Sequence, residues 1–166
     1  MDKVQARLAA IGLSLGGAQS VTIGYLKDGP TYPARESQAQ TDSNADRASM
    51  GVAPAESPSK PVAMIAAIQN YGSAASGVPP RPFFTLTVDA GKAHWGTDLA
   101  KLLRENSYDS RVALELMGER VKGELATAIV DLTAPPLAPY TIAKKGSDKP
   151  LIETSLMLNS LDHAVA

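Results

Sequence analysis

Three prolines within four positions constrain this chain more than any other feature. They close the stretch Gln69-Asn-Tyr-Gly-Ser-Ala-Ala-Ser-Gly-Val-Pro-Pro-Arg-Pro-Phe-Phe84. Proline fixes its own φ and biases the preceding residue towards extended geometry, so Val78 to Arg81 is expected to be straight and stiff. Tyr71-Gly72 ends an apolar helical run, and the small residues Ser73 to Gly77 form a flexible crossing to the prolines. Arg81 is therefore aimed, with Phe83-Phe84 as an anchor behind it. Two readings follow. In one, Tyr71, Gly72, Pro79, Pro80, Arg81, Pro82, Phe83 and Phe84 fix the protein against a neighbour, because proline lowers the entropy lost on docking. In the other, Phe83 and Phe84 start a core helix and Arg81 caps a surface carboxylate.

A chain of 166 residues suggests one domain, here with a flexible insertion. Hydrophobic residues make up 44%, but alanine supplies much of that, so the core is adequate rather than large and helices are favoured. Sixteen basic against seventeen acidic residues leave a formal charge of −1. Such a balance does not suggest a protein that holds nucleic acid by neutralising phosphates. Cysteine is absent, which excludes disulfides, thiolate nucleophiles and sulfur-ligated metals, and fits folding in a reducing cytoplasm. The N-terminus lacks the pattern of a signal peptide, and apolar runs stop well short of the roughly 18 residues of a membrane span. A soluble protein with no membrane partner is expected.

Taken in order, Val4, Leu8 and Ile11 predict an amphipathic helix over 2–11, stopped by Gly12. Ser20 to Lys27 alternates as a strand, with Val21, Ile23 and Tyr25 on one face. From Thr31 to Lys60 large apolar residues are almost missing, which predicts a mobile arm that orders only against a neighbour, or else a tolerated insertion. Pro61 opens a helix whose apolar face is Val62, Ile65 and Ile68 with Met64 and Tyr71. Phe83 to Glu105 is expected to be one helix with weak points at Gly91 and Gly96, and Trp95, Leu99 and Leu102 share a face.

Asn106 or Ser107 is the expected cap of the longest helix, Tyr108 to Leu132, with Leu114, Met117, Val121, Leu125, Ala128 and Leu132 as its stripe. Within it Gly118 and Gly123 each cost about 1 kcal/mol, so a neighbour comes close or the helix bends. Pro139 to Lys145 predicts a short helix, stopped by Gly146. The end of the chain reads as a helical turn and a strand with Leu161, His163 and Val165 on one face. That strand is expected to pair with Ser20 to Lys27, joined by a third piece from the arm or from another subunit. The fold class is thus α+β: a small antiparallel β-sheet packed with several helices, in a single unit spanning 1–166.

No constellation of catalytic groups stands out. The chain has no Gly-x-Ser-x-Gly, Walker-type loop or dinucleotide fingerprint, and no cofactor or metal site is expected. His94 and His163 are far apart and read as packing or surface residues. Glu115 and Glu119 form an acid–base pair on paper, but a solvated face with Arg111–Glu115 and Glu119–Lys122 ion pairs accounts for them better. Gly146 to Lys149 is a turn, around which Lys144, Lys145 and Lys149 cluster.

The order of these pieces carries a resemblance. Val21-Thr-Ile-Gly-Tyr25, Ala66-Ala-Ile-Gln-Asn-Tyr-Gly72, Pro79-Pro-Arg-Pro-Phe-Phe84 and Trp95-Gly96 are followed by Met117-Gly-Glu119 and Pro135-Pro-Leu-Ala-Pro139. Then come Thr141-Ile-Ala-Lys-Lys145, Lys149-Pro-Leu-Ile-Glu-Thr154 and Met157-Leu-Asn-Ser160. The series covers most of the chain after Val21 except the arm, and is similar to the tailed-bacteriophage virion proteins known as neck, tail-completion or minor tail protein Z-like components. Thr154 is followed by Ser155 where that family commonly has glycine, and the arm is longer than its pattern.

The resemblance implies a non-enzymatic structural subunit, made in the host cytoplasm and built into the virion. It would form a ring with copies of itself at the head-tail junction, joining the head-side connector to the tail terminator or tail tube and letting DNA pass. The proline segment would then be an inter-subunit element, and Lys144, Lys145 and Lys149 weak, salt-sensitive contacts to DNA in the channel. Alternatives are a tail terminator or other minor tail component, a virion enzyme using Glu115, Glu119 or Asp109, and a small peptide-binding module.

Overall fold

The structure, a computed structural model, describes residues 3–15, 20–26, 29–32, 45, 47–51, 59–137, 139, 142–143, 149–151 and 155–166. Its axis is a helix of 22 residues, α5 (Ser110–Asp131), which the other elements surround. Asp109 caps it, its carboxylate accepting from Arg111 N at 3.0 Å and Val112 N at 3.1 Å. The cap falls beyond Asn106 and Ser107, the expected positions, because Ser107 and Tyr108 adopt left-handed φ of 55° and 64° and cannot start a right-handed helix. Along α5 the buried apolar side chains are Ala113, Met117, Val121, Leu125 and Ile129, in steps of four, with Ser110 and Gly118 also buried. The expected stripe shares Met117, Val121 and Leu125, whereas Leu114, Ala128 and Leu132 sit on its half-buried shoulders. Helices on one flank and strands on the other turn the buried line slightly from the one predicted.

On the first flank lie β1 (Val21–Gly24) and β4 (Asp162–Val165), antiparallel with Val21 opposite Val165 and Gly24 opposite Asp162. The pairing is the one the alternation predicts, extended by reciprocal bonds between Ser20 and Ala166 of 3.1 and 3.0 Å. β1 ends earlier than Lys27, because Gly24 takes a φ of +130° and the chain then turns, Gly29 N donating to Leu26 O at 3.0 Å. No third strand joins this sheet among the described residues. Instead the ends of the predicted arm pair with each other, as β2 (Thr31–Tyr32) and β3 (Lys60–Pro61). Residues 33–44, 46 and 52–58 of the arm lie outside the described residues.

On the second flank α2 (Val62–Tyr71), α3 (Phe83–Gly91) and α4 (Trp95–Glu105) pack. The chain from Phe83 to Glu105 forms two helices, not one. The Trp95 ring lies against Gly91, where any Cβ would collide with it, so the chain must bend there. α2 buries Val62, Ala66 and Asn70, while Met64 and Tyr71, expected on the core face, point outward. α6 (Leu156–Asn159) supplies Met157 and leads to buried Leu161. α1 (Lys3–Leu15) touches α5 and runs through Gly12 rather than stopping there. A helical glycine costs only about 1 kcal/mol, too little to end a run of good helix formers. Of the short helix predicted after Pro139, residues 139, 142 and 143 are helical and the rest lies outside the described residues.

Candidate functional site

The segment between α2 and α3 is a closed buckle. Gly72 takes a φ of +78°, and a Cβ there would stand 2.9 Å from both Val78 O and Pro80 N. Only glycine lets the two limbs approach so closely. Ser73 and Val78 then bond reciprocally, at 2.8 and 3.0 Å, around a 3-10 turn at Ala74–Ser76. The crossing expected to be flexible is thus tied at its base.

Below this bridge the prolines return the chain to α2. Arg81 N donates to Gln69 O at 2.8 Å. The Arg81 guanidinium turns inward, donating to Gln69 Oε1 at 3.0 Å and to Pro135 O at 3.3 Å, with 4% of the residue exposed. Burial lowers its pKa from the ordinary arginine value. It thereby ties three segments together: the end of α2, the start of α3 and the chain leaving α5. Its partners are an amide and a carbonyl, not the surface carboxylate considered above.

Asn70 completes the joint. α3 begins after Pro82, whose side chain makes no capping bond. Asn70 Oδ1 takes over, accepting from Phe84 N at 3.0 Å and Thr85 N at 3.2 Å, while its Nδ2 donates to Thr85 Oγ1 at 2.8 Å. A residue of one helix thus satisfies the free N–H groups of another. Phe83 is 2% exposed in the core, and Phe84 meets it edge-on with ring centres 6.5 Å apart and covers Gly24. These phenylalanines do open a core helix. Gln69 and Asn70 are the residues that sequence reasoning passed over. Their signal was a pair of amides at the end of an otherwise apolar helix.

With Arg81 and Phe83 committed inward, the exposed residues of the buckle are Tyr71, Ala74 to Gly77, Pro79 and Pro80. Tyr71 is 74% exposed and follows exposed Met64 and Ala67 at helical spacing. The result is an apolar strip on a backbone that its internal bonds hold in place.

Several other polar side chains bond within the fold. Trp95 Nε1 donates to Glu124 Oε2 at 2.8 Å, and Arg120 joins Glu124 to Asp98 at 3.6 and 3.2 Å. The His94 ring bonds Asp98 at 2.8 Å and, with Arg120, holds the Asp98 carboxyl below its usual pKa. His163 lies flat on Gly118, its ring occupying the space a Cβ would need, with Nε2 2.9 Å from Glu115 Oε2. That explains one of the two helical glycines. Glu119 pairs with Lys122 at 3.5 Å, as the spacing predicts, and Glu115 meets His163. Lys149 Nζ donates to Val130 O at 3.2 Å near the end of α5, where a cation suits the helix dipole. Lys144 and Lys145 lie outside the described residues.

Among the described residues, no group of three or more histidines and carboxylates is placed to hold a metal, and no helix is long and apolar enough to cross a membrane. Comparison with known proteins finds no matching family model, no matching curated protein and no matching solved structure.

Proposed function

We propose that this chain is a structural virion subunit of a tailed bacteriophage, a neck or tail-completion component. In this reading, copies form a ring at the head-tail junction that connects the head-side connector to the tail and passes DNA. The observation that carries the reading is the buckle. Arg81 and Asn70 brace a proline segment from within so that Tyr71, Pro79 and Pro80 form a rigid apolar strip facing solvent. Such a strip serves docking, since the entropy of ordering it has been lost on folding rather than on association. The order of short sequence pieces that resembles the neck and tail-completion family supports the same conclusion. Subunits repeating about an axis meet through two different faces and close only at the right rotation.

The interface residues divide into two roles. Tyr71, Pro79 and Pro80 touch the neighbour, while Gly72, Arg81, Pro82, Phe83 and Phe84 hold them in register. The test is light scattering and electron microscopy of the purified chain, alone and with a candidate head-side connector. A ring is expected, and Tyr71→Asp abolishes it while leaving the circular dichroism unchanged. A Tyr71→Asp protein that still forms rings with the connector overturns the assignment. Binding to tail ends in place of the connector would instead assign a tail terminator.

A further inference from the structure

α1 carries one polar line, Lys3, Arg7 and Ser14, at helical spacing, and apart from Gln5 its other positions are apolar or glycine. After Arg7 its only polar residue is Ser14, and Leu8 and Leu13 are 63% and 82% exposed. Ala6, Ala9 and Ala10, also exposed, complete a face with Leu13 at spacings of three, four and seven. α1 touches α5 of its own chain, but none of its described side chains belongs to the hydrophobic core. A helix of this length is marginal in water by itself, and its exposed apolar face is stabilised by burial.

A surface of complementary shape exists on the same chain. Along the C-terminal half of α5, Gly123, Ala126 and Val130 form, with Leu158 and Leu161, an open, mainly apolar groove of about 410 Å³. Glu119 and Asp131 stand at its two ends, about 18 Å apart at 1.5 Å per residue. α1 spans about 20 Å by the same measure. Gly123 is the helical glycine left unexplained, for nothing lies within 4 Å of where its Cβ would be.

We infer that α1 of one copy lies antiparallel in the α5–α6 groove of the next. The inference rests on the ring reading above and adds a second contact to it. The antiparallel direction follows from charge. Carboxylates stand at both ends of the groove, but Glu119 is paired with Lys122 at 3.5 Å; α1 has Lys3 and Arg7 in its first half and no acidic residue, so its basic, dipole-positive start is set beside Asp131 and the dipole-negative end of α5. Sizes match in the same direction. Ala6 and Leu13 are seven residues apart, as are Gly123 and Val130, so Leu13 falls over Gly123 and Ala6 over Val130.

The absence of native cysteine makes the register directly testable. Single-cysteine chains are mixed in pairs and oxidised, so that any disulfide joins two copies. Leu13→Cys with Gly123→Cys and Ala6→Cys with Val130→Cys should cross-link, and Leu13→Cys with Val130→Cys should not. By sedimentation, Leu13→Glu should weaken self-association about 10- to 100-fold, the effect of unburying one leucine. Gly123→Leu should do the same with an unchanged circular dichroism spectrum. Arg7→Glu should weaken it less and be rescued by Asp131→Lys.

Equal cross-linking in all three pairs, or none, overturns the inference, as does association indifferent to Leu13→Glu and Gly123→Leu. If Tyr71→Asp still breaks the ring in that case, the ring reading stands and only the place of α1 falls. Correct cross-links from a protein that forms no ring with the connector would uphold α1 and remove the neck reading.

Discussion

Replacing Asn70 by alanine isolates the capping joint between α2 and α3. The side chain is almost fully buried and makes three hydrogen bonds, two of them accepted from the first turn of α3. Alanine leaves the Phe84 and Thr85 N–H groups without an acceptor in a site with little room for water. Each such group costs about 1–3 kcal/mol, and loss of an N-cap alone costs about 1 kcal/mol. Because both bonds come from one oxygen, the two penalties overlap, and the total should be about 3 kcal/mol. For a chain of this size that corresponds to a fall in Tm of about 6–12 °C. Asn70→Asp is the control: it keeps the acceptor at the N-terminus of α3, but its charge is buried and falls in the last turn of α2, so it should cost less than alanine without restoring full stability. Urea unfolding followed by circular dichroism, with Trp95 fluorescence as a second probe, gives both numbers. A loss below about 1 kcal/mol for the alanine variant, or equal losses for alanine and aspartate, would refute the capping argument.

Other perturbations test the remaining joints. Arg81→Lys should lower the urea midpoint nearly as much as Arg81→Met, because a single ammonium cannot reproduce the forked geometry that reaches Gln69 and Pro135 together; full retention by lysine would show that charge alone matters. Gly118→Ala should destabilise by about 1–3 kcal/mol despite the better helix propensity, since its methyl displaces the His163 ring, whereas Gly123→Ala should stabilise the single copy by up to about 1 kcal/mol. Calorimetry that ranked the two alike would contradict the packing of His163. Towards acid, the lowered pKa of Asp98 means that the unfolded chain takes up its proton first. The stability it contributes is therefore present above the ordinary carboxylate pKa and is lost as pH falls towards the lower folded value. The gap in urea midpoint between the native chain and Asp98→Asn should be widest near neutrality and shrink below about pH 4; a gap constant with pH would remove the Asp98–His94–Arg120 link.

What could be read from the sequence depended on how local the determining physics is. Periodicity placed the spans of α2 and α5 closely and paired the β1 and β4 segments, because a repeat of apolar residues marks the type and extent of an element, although in α2 it put Met64 and Tyr71 on the wrong face. The break between α3 and α4 was only half visible. Gly91 marked a weak point, but the bend exists because Trp95 folds back over it, which no local rule reports. Arg81 shows the limit most clearly. Its prolines determine a backbone path, yet the side of that path taken by the side chain is decided by Gln69 and Pro135, one twelve and the other fifty-four residues away. Likewise, Gly118 announced that something came close, and only the assembled sheet supplies His163.

The short ladder between β2 and β3 fixes where the long polar arm leaves the body and where it returns. Neighbouring strands are about 5 Å apart, so exit and re-entry are adjacent whatever lies between them. Val62 N adds a bond to Pro30 O at 3.2 Å just inside this gate. Lengthening a loop whose ends are already held together costs little, about 0.6 kcal/mol for each doubling. With its two ends fixed side by side, the segment between them can change in length at little cost in closure entropy, so the position at which the chain re-enters the body does not depend on how many residues the arm contains.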